Sequence, residues 1–198
     1  MLEVLRRIVQ EVDNAPSFQA ALDVLVASVR EATHTEVCSV YLLDDRTERL
    51  VLMANEGFNP SSIGVVSLGF GELCATREEP INLQDAATHP SYVYFPETGE
   101  ERYNAFLGVP IMNRRKVLGV LVVQQFENRR FDEGEVAFLV TLSAQLSGVV
   151  AHAKVMGQLE VVRGSRATPT QIYQGITGAT GVTLGRAVVL YPKADLEQ

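Results

Sequence analysis

The 198-residue chain is 46% apolar and 21% charged, with a formal net charge of −7. These are globular proportions, so wholesale disorder is excluded, and the length allows one well-cored domain of about 150 residues plus extra pieces. The acidic balance argues against a nucleic-acid phosphate partner, which needs clustered Lys and Arg; the one basic cluster, Arg114-Arg115-Lys116, sits in a polar break between two apolar runs.

The first residues mix charged and apolar side chains, without the continuous apolar core of a signal peptide. Leu2, Leu5, Ile8, Val9 and Val12 recur at helical spacing and predict an amphipathic helix that stops before Asn14-Ala15-Pro16. Ser17 is placed to cap a second helix, whose stripe of Phe18, Ala21, Leu22, Leu25, Val26 and Val29 should lie on a sheet. Val37 to Leu43 reads as a strand, turning at Asp44-Asp45-Arg46-Thr47 into a second strand, RLVLMA. Gly57 to Gly64 reads as a loop and Val65 to Leu68 as a short strand. Leu73 to Glu79 follows as a short helix and Glu79 to Leu83 as another short strand. From Asp85 through Tyr92, Tyr94, Phe95 and Tyr103 the chain is polar and dotted with aromatic rings, a composition suited to a lid over a sheet.

The stretch Asn104 to Phe126 is the expected centre of the fold. Its two runs, AFLGVPIM and KVLGVLVVQQF, are apolar on consecutive positions, which predicts a central hairpin covered on both faces. Gly108 and Gly119 inside the runs mark bulges or close approaches. Asp132 and Glu135 have the spacing of a capping box, opening a long helix to about residue 163. Its small residues Ser143, Ser147, Gly148 and Ala151 leave it thin enough to pair with a second copy of itself. No run approaches the ~18 consecutive apolar residues of a membrane span. Residues 164–170 have linker composition, and the glycine-rich tail resembles the opening of another domain.

Little chemistry is signalled locally. Cys38 and Cys74 are far apart, with no CxxC or His-rich partner, so neither a zinc site nor a disulfide framework is indicated, and a reducing, cytoplasmic setting fits. Gly69-Phe70-Gly71 lacks the spacing of a phosphate loop. His34, His89 and His152 fall in different elements, and the adjacent pairs Asp44-Asp45 and Glu100-Glu101 suit solvation better than acid–base work. These residues alone leave two classes open: a small-molecule sensor or dimerisation module, and an enzyme whose catalytic part lies elsewhere.

The stretches TEVCSVYLLD, EPINLQDAATHPSY, EERYNAFLGVPI, RRKVLGVLVVQQ and FLVTLSAQL together resemble a GAF domain, of the type that begins the nitrogen-type phosphoenolpyruvate-protein phosphotransferases. The resemblance implies an α+β fold: a central antiparallel sheet with the N- and C-terminal helices on one face and a lid and pocket segment on the other. It implies a sensor domain over residues 1–162, a linker over 163–174 and, from 175 to 198, the start of the phosphohistidine-bearing domain. Enzymes of that family move a phosphoryl group from phosphoenolpyruvate to a histidine and on to a small histidine carrier protein, with magnesium. None of the three histidines here matches the family's phosphohistidine motif, so this piece is expected to be catalytically silent and without a cofactor of its own.

The resemblance further implies a regulatory role and a nitrogen-status metabolite, of the glutamine or 2-oxoglutarate type, as ligand. The residues expected to meet it are Ser39 and Tyr41, which share one face of their strand; Asn82 and Asp85, which can also cap the following turn; Arg102, which either pairs with a carboxylate or faces solvent; and Gln124. The alternative is a structural dimerisation module with no ligand.

Overall fold

The computed structural model describes residues 2–58, 62–64, 70–90 and 102–156, with residues 70–72 described by their backbone alone. The chain divides after Gln158 into two units. The second, Leu159–Gln198, lies outside the described residues, as do the expected strand at Val65 to Leu68 and most of the expected lid.

Two helices come first, α1 (Leu2–Asp13) and α2 (Phe18–Thr33). The Ser17 hydroxyl caps α2 by accepting the Ala20 N–H at 3.1 Å, which satisfies one of the free donors of the first turn. His34, at φ 52°, closes the helix in the left-handed conformation. The strands are β1 (Val37–Asp44), β2 (Arg49–Glu56), β3 (Ile81–Leu83), β4 (Ala105–Asn113) and β5 (Lys116–Gln125), with helix α3 (Phe70–Arg77) before β3 and α4 (Glu133–Val155) last. The strands form one sheet, every adjacent pair antiparallel, in the order β2-β1-β5-β4-β3.

The short helix lies earlier than its apolar pattern suggests, because Glu78 at φ 56° ends it, and only three residues of the following strand pair with β4. The β4–β5 hairpin turns on Arg114 and Arg115, at φ 47° and 64°. Two successive positive φ angles match the right-handed twist of the flanking strands in a two-residue connection, which explains the tightness of the turn even without the usual Asn-Gly.

Helices α2 and α4 cover one face of the sheet, with α1 packed against both of them, and α3 lies on the other. The helical side contains Leu22, Leu25, Val26 and Val29 of α2 and Leu139, Leu142, Leu146 and Val150 of α4, against Val40, Leu107, Ile111, Leu121 and Val123 of the strands. Covering both faces is what makes β4 and β5 apolar on consecutive positions. Gly119 stands beside a bulge, and an added Cβ there would lie 2.2 Å from the Tyr41 carbonyl oxygen. Pro110 lies past the end of the β3 pairing, which joins 81–83 to 106–108.

Helix α4 is long and apolar enough, by length and composition, to cross a membrane. Its hydropathy comes from Ala, Val and Leu interspersed with Ser and Gly rather than from one unbroken run, and its apolar stripe packs in the domain core. Its last turn is tied down by Lys154, whose Nζ donates to the Leu43 carbonyl at 2.8 Å and to Asp45 Oδ1 at 2.9 Å. Asp45 therefore has a structural partner, and its neighbour Asp44 accepts the Arg46 N–H to shape the β1–β2 turn.

Candidate functional site

The sheet face under α3 is the candidate site, and strand register decides which side chains reach it. Residues directly opposite on paired strands point to the same face. Val37, Tyr41, Phe106, Val120 and Val122 belong to the apolar cluster on this face, together with Ile81, Cys74, Ala86, Tyr103 and Phe58. Ser39 lies between Val37 and Tyr41 in the β1 alternation and opposite Val122, so it faces the same way. Gln124 is opposite Val37 on one side and Phe106 on the other.

Ser39, Tyr41 and Gln124 are therefore brought together. Ser39 is 0% exposed and Gln124 5%, both inside an apolar surround. The Ser39 hydroxyl has no hydrogen-bond partner, and it is the one such buried side-chain atom among the described residues. Buried hydroxyls are almost always paired, since leaving one unmade costs roughly 1–3 kcal/mol. Gly108 shapes the same floor, because a Cβ there would meet the Phe106 ring at 2.9 Å.

Asn82 does not join them. It is opposite Leu107, on the helical side of the sheet, and its amide forms a reciprocal pair with the Phe131 backbone. Nδ2 donates to the Phe131 carbonyl at 2.8 Å, and Oδ1 accepts the Phe131 N–H at 3.2 Å. The sequence placed Asn82 correctly in its strand, but the β3–β4 register turns its side chain away from the face that carries Ser39 and Gln124. Asp85 occupies the N-cap of the 3-10 turn Ala86–Thr88 without a side-chain capping bond. Arg102 is exposed, its guanidinium 5.9 Å from the Phe126 ring centroid, so the solvent-facing alternative is the observed one. Phe126 in turn stacks on Tyr103 at 4.9 Å, and Tyr103 meets Phe58 at 6.0 Å, forming an aromatic rim.

The residues that anchor α4 were missed in sequence apart from its capping box. Glu135 and Asp132 exchange bonds as predicted, at 2.8 and 2.7 Å. Arg129 then grips both Glu135 oxygens at 2.8 Å each, lies 4.7 Å from the Phe131 ring centroid and donates to Gln125. Arg129 lies in the connection before α4 and Glu135 in the first turn of the helix, so no single helical or strand period relates them, which left no local signal. The guanidinium holds the Glu135 carboxyl below its usual range, chiefly by hydrogen bonding and against the cost of burial. A depressed carboxylate stabilises the fold fully above its unfolded value of about 4.3, and that contribution is lost as pH falls through the lower folded value. Glu135→Gln should therefore be less stable than the wild type by about 1 kcal/mol at pH 7, with the gap closing in acid; urea midpoints across pH check it.

Neither thiol is poised for chemistry. Burial pushes Cys74 up to about 12, and raises Cys38 as well, so both are protonated at neutral pH. Among the described residues no three His, Cys, Asp or Glu side chains stand together as a metal site.

Comparison with known proteins agrees with the fold. The GAF domain family model matches residues 17–150. The chain is 44% identical over 185 residues to the Phosphoenolpyruvate-dependent phosphotransferase system protein of Salmonella typhimurium (strain LT2), covering 91% of this chain and 25% of that protein, so it spans about a quarter of the length of this curated relative. The crystal structure of the GAF domain from Acinetobacter phosphoenolpyruvate-protein phosphotransferase superposes with a TM-score of 0.72 at 48% identity, covering 79% of this chain and 96% of that one. The corresponding domain from Coxiella burnetii gives 0.77 at 44% identity, covering 80% and 96%.

Proposed function

The chain belongs to the GAF domain family, matching the GAF domains of phosphoenolpyruvate-protein phosphotransferases, and from that premise we propose that it is the regulatory, metabolite-sensing part of such an enzyme. In this reading it controls autophosphorylation of a catalytic part and onward transfer to a small histidine carrier protein, in the cytoplasm and in response to nitrogen status. The catalytic histidine and the magnesium carboxylates belong to that other part.

The observation that carries a ligand is the unpartnered Ser39 hydroxyl, diagonal across the β1–β5 ladder from the buried Gln124 on the same sheet face. A hydroxyl and a primary amide are the fixed polar groups that orient a small polar molecule in an otherwise apolar site. Among the described residues no charged side chain is buried. A ligand carboxylate at the inner end would be uncompensated there, which favours glutamine, amide inward, over 2-oxoglutarate. Calorimetric titration of both metabolites tests this. Glutamine should give saturable heat, weakened at least fivefold by Gln124→Leu, or about 1 kcal/mol. No heat from either metabolite, or an affinity indifferent to Ser39→Ala and Gln124→Leu, refutes the assignment.

A second reading, dimerisation through the terminal helices, has its own observation. Val9 of α1 and Val149 of α4 are half-buried in a groove whose other apolar lining, Ile8, Val12, Leu142 and Leu146, is already buried, and Leu2, Val140 and Val155 are exposed at 81%, 40% and 85%. Covering apolar surface of this kind is favourable at about 25 cal/mol per Å². Sedimentation should report a dimer that Val149→Glu dissociates; a wild-type monomer at high micromolar concentration overturns it.

A further inference from the structure

The geometry points to Asn82 as the tie through which the layer under α3 sets the order of the first turn of α4. Strand β3 has two opposite attachments. On the α3 side, Ile81 packs in the apolar cluster with Cys74, with Leu83 against it. Cys74 is bonded to the stretch that leads into β3: its thiol donates to the Glu79 carbonyl at 3.3 Å. On the helical side, the residue between Ile81 and Leu83 is Asn82, which holds both backbone polar groups of Phe131.

Phe131 immediately precedes the N-cap of α4. Its ring carries the Arg129 guanidinium, which holds Glu135, and Glu135 accepts the Asp132 N–H. A displacement of α3 is therefore passed through three residues of edge strand to the capping box. Strand β3 is suited to the task because among the described residues it pairs with β4 alone and over three residues, so it can shift without breaking the β4–β5 core. A half-buried amide that makes two backbone bonds has one good position, so the shift reaches Phe131 instead of being absorbed by a rotamer change. This coupling is a property of the chain whether or not a metabolite binds, so its test is independent of the ligand.

The test is a double-mutant cycle read by hydrogen–deuterium exchange on the full 198-residue chain. The probes are the Glu135 and Val136 amides, which bond the Asp132 side chain and carbonyl, measured relative to β4–β5 amides. Cys74→Ala, more than fifty residues away in sequence, should speed their exchange at least threefold. Asn82→Ala should speed it too, and the double variant should exchange no faster than Asn82→Ala alone. Asn82→Asp, which keeps an acceptor for the Phe131 N–H and loses the donor to its carbonyl, repeats the cycle should the alanine variant not fold. Unchanged exchange at these two amides in Cys74→Ala, or a double variant whose acceleration is the product of the two single effects, overturns the proposal: Asn82 would then be a local brace only.

Discussion

Gly119→Ala is expected to cost roughly 3 kcal/mol or more, enough to leave a domain of ordinary stability partly unfolded. The added Cβ would lie 2.2 Å from the Tyr41 carbonyl oxygen and 2.7 Å from Leu42 Cδ2, and the first of these is backbone that no rotamer change can move. Relief requires β1 and β5 to separate. In the order β2-β1-β5-β4-β3 that ladder is the seam joining the β1–β2 hairpin to the β4–β5 hairpin, so a local clash becomes a global loss. Gly148→Ala is the matched control. A Cβ at Gly148 meets no atom within 4 Å, and alanine is the better helix former by about 1 kcal/mol, so this variant should be neutral or more stable. Urea unfolding with the slope held equal separates the two; a Gly119→Ala protein with the wild-type midpoint would mean that β1 and β5 can part at Gly119 at little cost.

Ser39→Ala should raise the stability of the ligand-free domain, by about 1–2 kcal/mol, while weakening ligand binding. The two effects have one cause. A hydroxyl at 0% exposure with no partner is a standing cost in the free protein, and alanine removes it while leaving the β1 backbone and most of the volume in place. A gain in stability that accompanies a loss of binding is the pattern of a site kept incomplete for its ligand. A merely structural serine would lose stability on the same change. Thermal melts of wild type and Ser39→Ala, each with and without glutamine, read both signs at once: the variant should melt higher alone and be raised less by the metabolite.

The hairpins, α1, α2 and α4 were legible because their signals are local. Strand alternation, the helical recurrence of Leu22, Leu25, Val26 and Val29, the Ser17 cap and the Asp132–Glu135 box each act within a few residues. The resemblance to GAF domains assembled those pieces into the right architecture. Part of the site was legible for the same reason: period-two spacing alone requires Ser39 and Tyr41 to share a face. For Asn82 the same rule was silent, since it relates residues within one strand and not the faces of two different strands.

By itself, then, the sequence determined helices α1, α2 and α4 and the two hairpins, that the central hairpin is covered on both faces, and that Ser39 and Tyr41 point one way. Tertiary structure alone decided that Gln124 faces the same side as Ser39, that Asn82 faces Phe131 instead, that Arg129 reaches Glu135, and that Lys154 anchors α4 to the β1–β2 turn. The physical reason is that these relations depend on strand register and helix docking, which are set by the sum of many apolar contacts across the whole sheet. No single residue or short pattern carries that sum.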